Sequence, residues 1–379
     1  MNRHVIEDGP AVASGFAGFE SLVTPAVVIN SAALDRNLAR MQGIADAGGV
    51  ALHPHIKTHK SLELARRQLA AGAKGLTASR APEALCFIRA GLGPVTVAYP
   101  IVEHEVAAEL LRSAAERGVA LRFIADSTVG LDALAAAGRR TGQTVNLLLK
   151  VDVGLRRSGV DPTGEAALKL ARRADALGLD LVGLLSHAGQ AYGAGDRAGI
   201  RAIAESELAL MRGLAERMVA DGLPAPLVSI GSTPTALENA GFDGVHELRP
   251  GNYIFLDLTA VRLGLAKRDD VALGVAATVI SANEEFSIID AGSKTLSSDI
   301  GPHGAQVGSG FGEVWCERSP EPYALVRLSE EHGFVRNVEG PMLVGSKVLV
   351  LPNHACPVVN LAQELHEVGT RRGVLTVDA

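Results

Sequence analysis

Large aromatic side chains are scarce in this sequence: Phe, Trp and Tyr make up 4% of 379 residues. A β-sandwich leans on such residues, so the shortage favours helices alternating with buried strands built from Ala, Val, Leu and Gly. Cysteine is nearly absent. Cys86, Cys316 and Cys356 cannot make a disulfide framework, and a reducing compartment is expected. No apolar run is long enough to span a bilayer. The segment MNRHVIEDGPAVASGF carries Glu7 and Asp8 and has no apolar signal-peptide core. A basic surplus is also missing: 36 Lys and Arg stand against 42 Asp and Glu, a net charge of -6, which argues against a dedicated nucleic-acid binder. The expectation is a soluble cytoplasmic protein with neither nucleic acid nor membrane as partner. Its length exceeds one ordinary domain and suggests a large α/β unit with a smaller companion.

Apolar, β-rich runs recur roughly every 20 to 35 residues, the period of a βα unit. They are LHPHI at 52–56, GLTAS at 75–79, VTVAY at 95–99, LRFIAD at 121–126, VNLLLKVDV at 145–153, LVGLLSHA at 181–188, LVSIGST at 227–233 and HELRPGNY at 246–253. Helical segments such as SLELARRQLAAG and AALKLARRADALG lie between them, with apolar residues at three- and four-residue spacing. This is the count of an α/β (β/α)8 TIM-type barrel, with a doubly wound open sheet as the competitor because strand count does not show closure. After about residue 265 the texture changes. VALGVAATVISA, EFSIIDAG, YALVRLSE and KVLVLPN read as strands with no convincing helix, giving a C-terminal, mainly antiparallel β domain. The expected division is a barrel over 31–264 and a β domain made of 1–30 and 265–379.

Barrel enzymes build their sites at the C-terminal ends of the strands. Here those ends carry His53, His55, Lys57, His59 and Lys60 on the first strand, Asp152, Arg156 and Arg157 on the fifth, and Ser186 and His187 on the sixth. The seventh ends in Gly231, Ser232 and Thr233 and the eighth in Arg249, Gly251, Asn252 and Tyr253. Gly231-Ser232-Thr233 precedes a helix expected near Pro234, so bare backbone N–H groups and hydroxyls could cradle a phosphate; a simple capped turn is the plainer reading. Lys57 lies among three histidines. A lysine near cationic groups and partly desolvated becomes a usable amine nucleophile, against the ordinary solvated lysine, the role expected of Lys60.

In the β domain, PNHACPVVNL places His354 and Cys356 two residues apart, on the same side of an extended segment. Imidazole and thiolate suit Zn²⁺, or Mn²⁺ and Co²⁺ if oxygens complete the shell. A buried small hydrophobe is the plainer role for Cys356. Two ligands are too few for a structural site, so solvent or substrate would complete it. Glu330, Glu331 and His332 in EEHG are further candidate contacts.

The ordered set HPHIKTHK, VDVGLRRSG, LSHAGQAY, IGSTPT, ELRPGNY, IIDAGSK, SEEHG and PNHAC resembles the fold-type III pyridoxal phosphate enzymes, alanine racemase-like in fold. Within them it resembles the D-threonine aldolase and D-serine dehydratase family. The resemblance implies Lys57 as the lysine that carries pyridoxal 5'-phosphate, with His187 and Tyr192 as its catalytic companions. Arg157 and His187 would lie against the cofactor ring, and Gly231, Ser232, Thr233, Gly251, Asn252 and Tyr253 would hold the rest of it. His354 and Cys356 would bind a divalent cation (Mn, Zn, Co or Mg) close to the substrate's β-hydroxyl. A homodimer acting on small D-β-hydroxy-α-amino acids is implied. Cys356, GSTPT and Tyr192 resemble the dehydratases, whereas Lys294 in IIDAGSK and Pro357 through Leu361 resemble the aldolases. The expectation leans to D-threonine aldolase, cleaving to glycine and acetaldehyde. The alternative is a D-serine or D-3-hydroxyaspartate dehydratase, releasing a 2-oxo acid and ammonia. An alanine racemase shares both domains and Arg249 but needs no metal, and a non-enzymatic pyridoxal phosphate carrier lacks the large β domain.

Overall fold

The computed structural model describes residues 15–224, 226–238, 241–302, 310–316, 319–338 and 340–379. The N-terminal acidic pair Glu7 and Asp8 lies outside them. Two compact units emerge, Met41–Gly251 with Asp378–Ala379, and Met1–Arg40 with Asn252–Val377.

After strand β1 (Ala26–Asn30) and a helix over Ser31–Ala47 come the strands of the first of these units. They are β2 (Ala51–Leu52), β3 (Leu76–Ala78), β4 (Val95–Val97), β5 (Leu121–Ala125), β6 (Asn146–Lys150), β7 (Asp180–Leu185), β8 (Leu227–Ile230) and β9 (Glu247–Leu248). All pairings are parallel, in the order β2-β9-β8-β7-β6-β5-β4-β3. The ring closes because His55 bridges Thr77 and the Lys74 N–H donates to the Leu52 carbonyl at 2.8 Å. That closure rejects the open sheet. The first strand ends earlier than LHPHI suggests, because Pro54 offers no N–H to continue a ladder.

The aromatic-poor composition shows in how this unit packs. The helix His104–Arg117 buries Ala107, Ala108, Leu110, Leu111 and Ala114, a stripe at helical spacing. Phe87 and Phe123 are the aromatics in a core otherwise built from Ala, Val, Leu and Ile. The helix Leu62–Ala70 receives no cap from the side chain of Ser61. Asp378 supplies it: its carboxylate accepts the Leu62 N–H at 2.8 Å, and its own N–H donates to the Lys60 carbonyl at 2.8 Å. Losing such a cap costs about 1 kcal/mol. Asp378→Ala is therefore expected to lower the melting temperature by about 2–4 °C, read by calorimetry against wild type.

The other unit holds β10 (Leu273–Ala282), β11 (Phe286–Ile289), β12 (Gly312–Trp315), β13 (Tyr323–Leu328), β14 (Gly333–Arg336), β15 (Lys347–Pro352), β16 (Glu364–Val368) and β17 (Gly373–Thr376). Six of them close on themselves in the order β10-β11-β14-β13-β12-β15, all antiparallel. From β10 the sheet continues through β1, β16 and β17. Trp315, Phe16, Phe19, Leu349 and Leu351 fill its core. Four strands here are not evident in the sequence pattern. β12, β14 and β16 are short and mix Glu, Arg or His with apolar residues, and β17 is only the four residues GVLT, so none stands out as a strand. The expected absence of helix after residue 265 is corrected too: Ser293–Leu296 and Ala355–Leu361 are helical.

Candidate active site and metal pair

Lys57 sits in the 3-10 turn Ile56–Thr58 that leaves β2, partly exposed, with its N–H directed at Nδ1 of His55. The three flanking histidines are not the cationic neighbours that the sequence suggested. Burial, helped by Lys57, Arg249 and Arg157, holds His55 well below the usual imidazole range. His59 is buried between Gln68 (3.1 Å) and the Ser61 N–H (3.0 Å), and burial lowers it to about 4. His53 is structural. Its Nε2 meets Glu247 at 3.3 Å and its Nδ1 accepts from Arg122 at 3.2 Å. Burial lowers its pKa to about 4, with Arg122 and Arg249 adding to the effect and Glu247 opposing it.

These two histidines make stability acid-sensitive. In the unfolded chain they bind protons near pH 6.5, whereas in the fold they do so only near 4. Unfolded protein therefore binds more protons as pH falls from about 6.5 to about 4, and stability drops through that window. Melting temperatures measured across it should fall steeply, and His59→Gln should flatten the slope; a flat wild-type profile would contradict the burial.

The positive charge around Lys57 comes from other strands. Lys150, at the end of β6, is buried with its Nζ donating to the Val151 carbonyl at 3.0 Å. Burial first, then Arg249 and Arg157, lowers it to about 7. His187 is depressed well below 6.5 by burial and by Lys57, Lys150 and Arg157. Its Nδ1 lies 3.0 Å from the Gly231 carbonyl, which only accepts. Nδ1 thus carries the hydrogen and Nε2 is left as an acceptor. Arg249 is buried, bonded to the Ser229 hydroxyl and the Ser186 carbonyl. Behind it, Glu207 accepts from the Ser186 hydroxyl at 2.6 Å, and burial raises its pKa. Arg122 grips Glu247 in a two-pronged pair at 2.7 and 3.1 Å.

The loop after β8 is tighter than a bare phosphate cradle. Ser232 caps the short helix Thr233–Leu237: its hydroxyl takes the Thr235 N–H, and its own N–H goes to Thr235 Oγ1 at 3.1 Å. Gly231 has φ +125, and a Cβ there would press the Arg249 nitrogen at 3.1 Å. At Gly251 a Cβ would meet Thr58 Oγ1 at 2.8 Å and His55 at 3.1 Å. Gly251 keeps the backbone bare beside the Lys57 turn, and Gly231 lets the end of β8 pass close to Arg249. Tyr192 is buried in the turn Gly189–Gly193. Lys60 adopts a left-handed φ of 50 and serves the Asp378 contact through its carbonyl.

Lys57, Lys150, Arg157 and Arg249 thus gather about two neutral imidazoles, and among the described residues Arg157 makes no ion pair. An anionic ligand bearing a group that an amine can attack suits this donor set, so the residues fit pyridoxal phosphate.

In the other unit His354 is the N-cap of the helix Ala355–Leu361, and Cys356 lies in its first turn. The pair does not sit on an extended segment; Pro357, tolerated in a first turn, lets the helix start here. Cys356 lies near enough to His354 to act on its charge. Burial works against protonation of His354, but Cys356, Asp299 and Asp257 outweigh it and raise the pKa to about 10. Among the described residues no cluster of three His, Cys, Asp or Glu forms a ready metal cage. Imidazole plus thiol with open positions fits a divalent cation completed by small ligands. Asn252 and Tyr253 are buried in the turn Asn252–Ile254. The Asn252 amide donates to Asp257 at 2.7 Å, so it is committed within this unit, and Asp257 also takes the Ala355 N–H at 3.0 Å. Glu330 and Glu331 are not contacts of the pair: both bind Lys294 on the surface, at 2.8 and 2.9 Å.

Two family models match the chain, "Alanine racemase, N-terminal domain" over residues 29–259 and "Putative serine dehydratase domain" over 272–368. The D-threo-3-hydroxyaspartate dehydratase of Delftia sp. (strain HT23) is 39% identical over 353 residues, 89% of this chain and 91% of the relative. The chain belongs to the fold-type III pyridoxal phosphate family. The D-threonine aldolase of Arthrobacter sp is 30% identical over 361 residues, covering 93% and 90% of the two chains. The solved structure of the D-threo-3-hydroxyaspartate dehydratase from Delftia sp. HT23 superposes with TM-score 0.87 at 34% identity over 94% of this chain and 98% of that one, and so does a cysteine-to-alanine variant of a D-threo-3-hydroxyaspartate dehydratase in the metal-free form. These relatives are lyases of small amino acids, and the alanine racemase-like fold expected from the motifs is the observed one. The described residues include no helix long and apolar enough to cross a membrane.

The sequence reading missed Lys150, Glu207, Asp257 and Asp299. Two of these leave a trace in the pattern. Lys150 interrupts an apolar strand, and Glu207 occupies a core phase of its helix among Ala204, Met211, Leu214 and Met218. Asp299 leaves none, since its partner is 55 residues away.

Proposed function

We propose that the protein is a pyridoxal phosphate- and divalent metal-dependent dehydratase of D-β-hydroxy-α-amino acids, with D-threo-3-hydroxyaspartate as the leading substrate. The observation that carries dehydration over the expected aldol cleavage is the 39% identity to the Delftia dehydratase, against 30% to the aldolase. Cys356 in the metal pair points the same way. When bound, the cofactor supplies an electron sink for the α-carbon and the cation a Lewis acid for the β-oxygen.

On this reading Lys57 holds the cofactor and its Nζ takes the α-proton. Arg157 offers a guanidinium to an anionic group of the ligands. His187, neutral with Nε2 as acceptor, lies beside the cofactor ring without adding charge. Gly231, Ser232, Thr233, Gly251 and Asn252 contribute backbone to the phosphate, and Tyr192 and Tyr253 complete the walls. His354 and Cys356 are the protein's two donors to the cation. The reading includes a homodimer, which light scattering checks directly. Feeding D-serine, D-threonine and D-threo-3-hydroxyaspartate to loaded protein tests the substrate: fastest turnover of the last, with release of ammonia, is expected, and a preference for D-threonine with release of acetaldehyde would return the reading to the aldolase.

A further inference from the structure

The imidazole of His354 has one more partner than the metal pair requires. Asp299 follows the helix Ser293–Leu296, and its Oδ2 lies 2.8 Å from Nδ1 of His354. The carboxylate is itself held, with Oδ1 accepting the Gly301 N–H at 3.0 Å and the Asp299 N–H directed to the Ser297 hydroxyl at 3.1 Å. We propose that Asp299 is the positioning residue of the metal pair, fixing the tautomer and orientation of His354 so that Nε2 presents its lone pair to the cation beside Cys356. This inference rests on the reading above that His354 and Cys356 bind a divalent cation.

A carboxylate can only accept, so Nδ1 keeps its hydrogen, and a cation that binds displaces the proton from Nε2, whose lone pair then faces it. The two ring nitrogens point away from one another, which puts Asp299 on the far side of the ring from any ion held at Nε2. Asp299 is thus not a third ligand. Asp257, the other carboxylate near His354, does not compete for this role. Its oxygens are spent on Asn252, the Ala355 N–H and the first N–H groups of the helix Leu258–Arg262. Carboxylates placed behind a ligating histidine raise its basicity and hold its ring in line, and their loss typically weakens metal binding.

The test uses cofactor-loaded protein and Mn²⁺ alone, with affinity read by competition against a chromophoric chelator. Asp299→Ala should weaken Mn²⁺ binding about 10- to 100-fold, and Asp299→Asn, whose amide oxygen still accepts, should fall between it and wild type. Cofactor absorption and the melting temperature in excess chelator should match wild type in Asp299→Asn, which separates positioning from a general loss of structure. Wild-type Mn²⁺ affinity in both Asp299 variants, alongside loss in His354→Ala, would overturn the inference and leave the metal reading intact. Wild-type affinity in His354→Ala as well would overturn the metal reading itself.

Discussion

Lys57→Ala is expected to abolish the visible absorption of bound cofactor and to lower turnover by at least about 10³-fold, because one amine both carries the cofactor and moves the α-proton. Lys57 leaves the first barrel strand in a tight turn, among side chains from three other strands, and its neighbours His55 and His187 are kept neutral by burial and by the surrounding cations. Lys150 provides the control. It is the other amine in the cluster, but it is buried and bonded to the Val151 carbonyl. Lys150→Met should alter the absorption spectrum without erasing it. Retention of a normal band in Lys57→Ala, and its loss in Lys150→Met, would transfer the cofactor to the wrong lysine and overturn the assignment.

The second large effect is at the metal pair. Exhaustive chelation, or His354→Ala, is expected to lower lyase turnover by at least about 10²-fold, since Lewis-acid assistance to a departing hydroxide amounts to several kcal/mol. Cofactor absorption should survive both treatments, because no residue of the Lys57 cluster is touched. Mn²⁺ or Zn²⁺ should restore chelated wild type and fail to restore His354→Ala. Full activity in chelated protein would remove the cation from the account. Position protects the fold of this variant: His354 is partly exposed at a helix start, and the buried residues of that helix are Ala355, Val358 and Val359.

How much of this was legible in the sequence depends on range. The barrel was, because each βα unit repeats a local pattern and eight repeats are hard to misread. Its closure was not, since the His55–Thr77 bridge is a tertiary contact. The strand-end residues were found because strand ends are where such folds expose polar groups, yet their charges were misjudged. Histidines at 53, 55 and 59 look cationic in sequence, while burial makes them neutral and the cations arrive from Lys150, Arg157 and Arg249. His354 and Cys356 were put forward by their spacing together with the family resemblance, and the segment that carries them turns into a helix rather than running on as a strand. The short strands β12 and β14 escaped for a related reason: what makes them strands is pairing across the six-stranded ring, not alternation within four residues.

The central claim is a dehydration, and products decide it. Cofactor-loaded protein supplied with Mn²⁺ and D-threo-3-hydroxyaspartate is predicted to release oxaloacetate and ammonia in equal amounts, identified by mass spectrometry and an ammonia assay. Glycine and glyoxylate from the same incubation would contradict the account and show that the bond broken is Cα–Cβ.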